Sequence, residues 1–385
     1  MDFELNEEQV AFADMARAFA QNELAPHAGE WDLHQTFPVD VLKAAGELGF
    51  CGLYSHEDVG GLGLSRLDSS IIFEQLAMGC TSTTAFITIH NMATWMISEF
   101  GADDVRQQWC PQLTAGEQLA SYCLTEPNAG SDAGSLKTSA RRDGDDYILN
   151  GSKIFISGAG ATDCLVVMAR TGAEGPKGIS AFAVDATLPG ITYGRKEEKM
   201  GWNSQPTRMI TFEDVRIPAA AILGAEGDGF RIAMRGLDGG RINIATCSVG
   251  TAQQALNKAT EYMHERKQFG QPLASFQALQ FKLATAATEL VAARQMVRMA
   301  ASRLDNNHPD KTTYCAMAKR FATDVGFSVA DEALQIFGGN GYIKEYPMER
   351  FLRDNRVHRI LEGTNEIMNV IIARRLLLEN AAELL

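Results

Sequence analysis

At 385 residues the chain holds enough material for two or three packed units of roughly 150 residues each. Hydrophobic residues make up 45% and charged residues 22%, a balance that excludes a disordered, collagenous or membrane-embedded chain. With 35 Lys+Arg against 48 Asp+Glu, the net charge of -13 repels phosphate backbones and argues against nucleic acid, while leaving room for a local basic site that holds a small anion.

The opening Met1 to Glu8 is acidic, neither apolar nor Arg-rich, and no run of ~18 residues is apolar enough for a membrane span. The expectation is a protein without membrane insertion, in the cytoplasm or, in a eukaryote, in the mitochondrial matrix after loss of a leader. Phe12, Met15, Ala16, Phe19 and Ala20 repeat at helical spacing behind Asn6 and Gln9, which suit a cap and its capping-box partner. Helical patterns continue over Val41 to Leu48, Ser69 to Met78 and Ser82 to Phe100, broken at Pro38 and at Gly60-Gly-Leu-Gly63. Residues 1–121 are predicted to form an all-helical domain.

After about Ser121 the pattern shortens. Tyr147-Ile-Leu, Lys153-Ile-Phe-Ile, Asp163 to Met168, Ile179 to Val184 and Arg208 to Phe212 are apolar or alternating runs separated by Asp143-Gly144, Asn150-Gly151, Gly172 to Gly178 and Pro189-Gly190. The spacing leaves no room for intervening helices, so 122–226 is predicted to be a middle antiparallel β-barrel or sandwich domain. Helical periodicity returns from Gly227, with Leu279, Leu283, Ala286, Ala287, Leu290 and Val291 on one predicted face. A C-terminal four-helix bundle is expected over 227–385, giving an α+β protein in three parts.

Seven cysteines, Cys51, Cys80, Cys110, Cys123, Cys164, Cys247 and Cys315, form no CxxC pair and suggest neither a disulfide framework nor a zinc knuckle. The histidines are scattered without an HExxH, so no metal is expected. Gly158-Ala-Gly-Ala-Thr-Asp163 imitates half of a dinucleotide fingerprint, but an apolar strand follows it where a helix should start; it reads as a turn between strands. Tyr122-Cys-Leu-Thr-Glu-Pro-Asn-Ala-Gly-Ser-Asp132 exposes backbone N–H groups and the hydroxyls of Thr125 and Ser131 in an irregular loop, an ordinary connection or a grip for a polar ring. Gly338 and Gly339 either end a helix or let backbone approach a diphosphate. Glu362, directly before Gly363 among apolar neighbours, is either a solvated charge or a base; in an apolar cavity desolvation raises its pKa by as much as ~3 to 5 units.

Taken in order, Leu5-Asn-Glu-Glu-Gln9, Tyr-Cys-Leu-Thr-Glu-Pro at 122–127, Phe155-Ile-Ser-Gly158, Arg266-Lys-Gln-Phe-Gly-Gln-Pro-Leu273, Gly338-Gly-Asn-Gly-Tyr342 and Leu361-Glu-Gly-Thr-Asn-Glu366 resemble the acyl-CoA dehydrogenase family over essentially the whole chain. Gly201-Trp-Asn-Ser-Gln-Pro-Thr-Arg208 and Gly239-Gly-Arg-Ile-Asn-Ile-Ala245 look most like members that oxidise isobutyryl-CoA in valine breakdown. The resemblance implies a homotetramer with FAD between the β unit and the C-terminal helices. Residues Tyr122, Cys123, Leu124, Thr125 and Ser131 with Phe155, Ile156 and Ser157 would contact the flavin ring; Phe155 stands where many relatives have Trp. Arg266, Phe276, Gln277, Gln335, Gly338 and Gly339 would hold the diphosphate and adenosine, partly across a subunit boundary, and Thr364, Asn365 and Glu366 would complete the cofactor site.

By the same resemblance Glu362 takes the α-proton as a hydride leaves the β-carbon for the flavin, with the Glu362 N–H and a ribityl hydroxyl polarising the thioester carbonyl. Ser131, Asp238, Gly239, Gly240 and Arg241 are implied contacts to the acyl-CoA. Some relatives carry the base where Gly240 stands here, and Glu366 is the one nearby carboxylate that competes with Glu362. Electrons would pass to electron-transferring flavoprotein. A straight short-chain substrate such as butyryl-CoA, or 2-methylbutyryl-CoA, is the alternative, since one methyl group discriminates by only ~1 to 3 kcal/mol. An oxidase fits less well, because those chains are longer and often end in a peroxisomal signal, unlike Ala382-Glu-Leu-Leu385; a non-catalytic flavin or CoA scaffold is disfavoured by the intact Glu362.

Overall fold

The structure, a computed structural model, describes residues 4–378; the first three residues and the Ala-Glu-Leu-Leu end lie outside the described residues. Asn6 caps α1 (Glu7–Phe19) through a complete capping box, its Oδ1 accepting from Gln9 N at 2.8 Å and Gln9 Oε1 accepting from Asn6 N at 3.2 Å. The box satisfies two of the backbone donors that every helix start leaves open. After a wide turn at Ala20–Leu24 come α2 (Ala28–His34), α3 (Val39–Glu47), α4 (Arg66–Gly79), α5 (Thr81–Phe100) and α6 (Asp103–Thr114). α5 is buried along most of its length, which explains its run of small, apolar and Thr side chains on every face.

The sheet contains β1 (Ala120–Cys123), β2 (Ser139–Asp143), β3 (Asp146–Ser157), β4 (Cys164–Arg170), β5 (Ile179–Asp185), β6 (Ile191–Tyr193), β7 (Thr207–Pro218) and β8 (Ile222–Leu223). Its order is β6-β7-β3-β2-β4-β5-β8, with β1 beside β4. Two expectations are corrected here. The sheet is mixed, because β1 runs parallel to β4 and β2 meets β4 in parallel at Ser139 and Arg170. Asn150-Gly151 is no turn either: β3 runs straight through it, slipping register against β7, and a Cβ on Gly151 would strike Thr138 at 2.7 Å. Gly158 to Asp163 does connect two strands, β3 and β4.

Helix α7 (Gly229–Glu265) follows, then the small hairpin β9 (Lys267–Gln268) and β10 (Gln271–Pro272), α8 (Gln277–Asp305), α9 (Lys311–Phe337), α10 (Gly339–Tyr342), α11 (Met348–His358) and α12 (Asn365–Leu378). Ile242, Ala245 and Val249 of α7 interlock with Leu290, Ala293 and Val297 of α8 and with Cys315, Ala318 and Ala322 of α9. Instead of one long fourth helix, α4 packs on α7 and α8, and the shorter α11 and α12 lie on α9. On α8, Ala286 and Leu290 point inward as read, but Ala287 is exposed and Val291 is 53% exposed. At 100° per residue a stripe that includes i+1 neighbours is too wide for one contact, so the helix carries a second apolar face that includes Phe281. Helix α7 touches α4 and α5 on one side and α8, α9 and α11 on the other, with β4 and β5 near its start.

Candidate active site

Between α11 and α12 the chain turns through two successive left-handed residues, Glu362 (φ 56°) and Gly363 (φ 88°). Glycine adopts this conformation freely, whereas for Glu it costs roughly 1 to 2 kcal/mol, so the turn needs external support. Asn365 N donates to Arg359 O at 3.0 Å, and Lys319 Nζ donates to Gly363 O at 2.7 Å and to Asn365 Oδ1 at 2.9 Å. The Glu362 side chain lies across α7 at Gly240, where a Cβ would stand 2.4 Å from Oε2 and 3.2 Å from Met92 Sδ. Part of the residue is exposed, yet Oε2 is fully buried and has no hydrogen-bond partner among the described residues. Burial pushes the Glu362 carboxyl up to about 7, against the opposing charges of Arg241 and Lys319. A buried carboxylate with a free oxygen and a pKa near neutrality is equipped to accept a proton.

Tyr122 on β1 reaches the same place. Its buried hydroxyl has no partner among the described residues, and its pKa is raised well above the ordinary value by burial and then by the charge of Glu362. Along α7, Arg241 Nη1 donates to Asp238 Oδ1 at 2.7 Å, Thr312 Oγ1 donates to Asp238 Oδ2 at 2.7 Å, and Arg241 Nε is buried without a partner among the described residues. Gly239 makes room for the guanidinium of Arg66, which lies 3.4 Å from the centre of the Tyr54 ring. The two glycines are thus spaces for charged side chains arriving from other elements.

The ring-binding residues expected from the sequence fall on β1, the loop after it and a bulge in β3. Register between β3 and β7 slips between Lys153 and Ile156, and Phe155 at the bulge takes φ 59° and stands 64% exposed. Ser157 O accepts from Ser121 Oγ at 2.6 Å. Cys123 and Ile156 turn their side chains into the β core, so only their backbone faces the site. Leu124 O is taken by Lys153 Nζ at 3.0 Å, Thr125 O accepts from Ile154 N at 2.9 Å, and Ser131 is exposed at the loop's far end.

A buried ion pair that the sequence reading passed over fixes this loop. Lys153 Nζ donates to Glu126 Oε1 at 2.8 Å, and the Glu126 carboxylate also accepts from Thr138 N at 2.9 Å and Lys137 N at 2.7 Å. Burial pushes Glu126 up, but the lysine's charge and these donors outweigh it and hold its carboxyl below the usual range. A lysine inside the apolar run Lys153-Ile-Phe-Ile was the available signal.

The second expected group lies apart. Arg266 follows α7, Phe276 and Gln277 open α8, and Gln335, Gly338 and Gly339 end α9; Tyr262 stacked on Phe337 at 4.1 Å joins the two helix ends. Arg266, Gln277, Gln335, Gly338 and Gly339 are exposed, and a Cβ on either glycine would meet nothing within 4 Å among the described residues. No hydrogen bond or ring contact among the described residues connects this group to Tyr122 or Phe155. Thr364 Oγ1 accepts from Ile367 N at 3.3 Å at the start of α12, while Asn365 turns its side chain into α9, donating to Thr323 Oγ1 at 3.0 Å. Glu366 is exposed, and its own backbone N–H and Thr364 hold its carboxyl low, so it is not poised as a base.

Residues 6–117, 121–215 and 227–377 match, in turn, the N-terminal, middle and C-terminal domains of acyl-CoA dehydrogenases. The chain belongs to the acyl-CoA dehydrogenase family. Within that family it is 55% identical to the mitochondrial isobutyryl-CoA dehydrogenase of Bos taurus and 56% identical to that of Dictyostelium discoideum, each alignment covering 97% of this chain and 90% of the relative. The solved structure of butyryl-CoA dehydrogenase from Megasphaera elsdenii superposes with a TM-score of 0.95 at 40% identity, covering 98% of this chain and 100% of that one. The family's helical, β and helical order is the order seen here.

Proposed function

We propose that the protein is an FAD-dependent dehydrogenase that oxidises a short 2-methyl-branched acyl-CoA, isobutyryl-CoA first, to its 2,3-enoyl product, methacrylyl-CoA. The observation that carries the reading is the buried Glu362 carboxylate, with a free Oε2, held over Gly240. The isobutyryl-CoA dehydrogenases among its relatives support the branched substrate.

FAD suits the residues present: Phe155 stands out from its bulge, the Tyr122 hydroxyl is orphaned, and the backbone of Gly338 and Gly339 is open. Bound, it supplies the hydride acceptor. The backbone of Tyr122 to Thr125, with Ser131, Phe155 and Ser157, is assigned to its ring; Arg266, Phe276, Gln277, Gln335, Gly338 and Gly339 are assigned to the diphosphate and adenosine of a neighbouring subunit's FAD, with Thr364 and Glu366 nearby. Glu362 Oε2 takes the α-proton. That proton is weakly acidic, so the thioester carbonyl must be polarised, a task for the Glu362 N–H; one such donor is typically worth ~2.7 to 4 kcal/mol. Ser131 and Arg241 face the acyl-CoA, Gly239 and Gly240 make room for Arg66 and Glu362 beside it, and Asp238, already engaged by Arg241 and Thr312, orients Arg241.

A homotetramer is supported by apolar side chains left outside: Phe269 is 94% exposed, Tyr342 83%, Phe281 60% and Val291 53%. Electron-transferring flavoprotein is the proposed acceptor. Among the described residues no helix is long and apolar enough to cross a membrane; the mitochondrial relatives support a matrix location in a eukaryote and the cytoplasm otherwise.

Anaerobic titration of the purified yellow protein with isobutyryl-, butyryl- and 2-methylbutyryl-CoA tests the reading. Bleaching of the flavin band chiefly by isobutyryl-CoA is expected, and Glu362→Gln should keep its flavin yet not bleach. Preferential bleaching by butyryl-CoA would replace the substrate, in line with the likeness to butyryl-CoA dehydrogenase; a Glu362→Gln protein that still turns over would remove the base.

A further inference from the structure

Lys319 is fully buried in α9, and no carboxylate among the described residues forms an ion pair with it. Its ammonium spends two donors on neutral acceptors, Gly363 O at 2.7 Å and Asn365 Oδ1 at 2.9 Å. Burying a cation on neutral partners is unfavourable, and burial lowers its pKa to about 8. A neutral side chain of equal length would fill the space at less cost, so packing does not account for the lysine. What distinguishes the place is its neighbour in the chain. Gly363 and Asn365 flank the left-handed turn that aims Glu362, and Asn365 is tied back to α9 through Thr323 Oγ1 at 3.0 Å and Asp324 Oδ1 at 3.1 Å.

We infer that Lys319 is a positioning residue for Glu362: by holding Gly363 O and Asn365 Oδ1 it keeps the Glu362–Gly363 turn left-handed and the carboxylate over Gly240. This rests on the reading of Glu362 as the base. Without the clamp the turn relaxes toward the right-handed backbone that Glu prefers, and the carboxylate leaves the face of α7. The ammonium has a second effect, because its charge favours the ionised carboxylate. Glu362 is faced by Arg241 from α7, Lys319 from α9, Tyr122 from β1 and Tyr54 from the segment after α3; the two cations oppose its desolvation, and the tyrosines stay protonated. Asp324 and Glu366 act on Lys319 itself, and His358 beside it is neutral.

Two variants of the flavin-loaded protein separate position from charge. Lys319→Met is expected to retain FAD, to lower kcat by about 10- to 100-fold with KM little changed, and to raise the titration midpoint of the Glu362 carboxyl by about one pH unit. The midpoint is read without substrate as the infrared carboxyl band that disappears in Glu362→Gln. Lys319→Arg keeps a cation but cannot reproduce the two bonds; kcat is expected to fall while the midpoint stays. A wild-type kcat in Lys319→Arg overturns the inference, even where Lys319→Met fails to fold. So does a Lys319→Met protein whose activity falls only in proportion to lost flavin, with the midpoint unmoved. Failure of every acyl-CoA to bleach the flavin overturns the proposed substrate instead, and leaves the infrared midpoint to decide on Lys319.

Discussion

A single methyl group at position 240 would occupy the space of the Glu362 carboxylate, 2.4 Å from Oε2. Gly240→Ala is therefore expected to displace the base while leaving α7 intact, since Ala is the better helix former. Misplacement by about 1 Å costs on the order of 10²-fold in rate; comparing kcat with flavin absorbance will show a fall in turnover at unchanged cofactor content. From the residues alone Glu362 stayed open between a solvated charge and a base, and the resemblance carried by Leu361-Glu-Gly-Thr-Asn-Glu366 singled it out. Gly240 entered the sequence reading as an implied acyl-CoA contact and as a place where no other base could sit. Its use as clearance depends on how α12 and its preceding turn cross α7, which lies beyond any spacing in the chain. Lys319 escaped notice for a related reason: in sequence it is one more cation on a helix, and only the packing of α9 shows that it points inward.

Among the elements, β3 and the loop after β1 depend on each other. Lys153 reaches from inside β3 to Leu124 O and Glu126, so the loop that carries Thr125 to Ser131 is tied from beneath by one ammonium. Removing one partner of a buried pair leaves an uncompensated charge and typically costs about 3 to 5 kcal/mol. Lys153→Met should lower the thermal midpoint and release flavin more readily, both measurable on the purified protein from melting curves and the flavin-to-protein absorbance ratio. Strands and helices came through the sequence wherever one period dominated, as in α1 and β5. They failed where two signals competed: Asn150-Gly151 has turn chemistry, yet the pairing of β3 with β7 on both sides of it wins. Tyr122 and Cys123 read as loop because four residues of β1 are too few to display alternation.

Across the whole molecule, two buried histidines bridge the parts. His90 on α5 accepts from Ala120 N at 3.0 Å through Nδ1, so its other nitrogen donates to Leu113 O at 2.9 Å, joining α5, α6 and β1. Trp202 Nε1 donates to His358 Nε2 at 3.2 Å, which puts the ring proton on Nδ1 facing Ser248 Oγ at 2.7 Å and links the segment before β7 with α7 and α11. Burial lowers their pKa values to about 4 and about 3. A base depressed in the folded state contributes stability that is complete above its ordinary value near 6.5 and is lost as pH falls toward the folded value. Each should cost about 2 kcal/mol by pH 5. Denaturant midpoints taken from pH 7.5 down to about 5 will fall, and less steeply in His90→Gln or His358→Gln. The helical, β, helical order was legible as changes of hydrophobic period; these bridges were not, because scattered histidines carry no spacing signal.

The turn at Glu362 sets the fitness of the fold against its use. A left-handed Glu and a buried carboxylate both oppose folding: a carboxyl raised to about 7 withdraws stability as pH climbs through that value, on the order of 3 kcal/mol once fully ionised. Glycine at this position would remove both burdens. A library screened for heat tolerance alone would drift toward losing this side chain, and its hardiest survivors would be yellow, folded and inert. Any programme to stabilise the protein therefore has to select on turnover in the same round, or exclude residues 240, 319, 362 and 363 from the search.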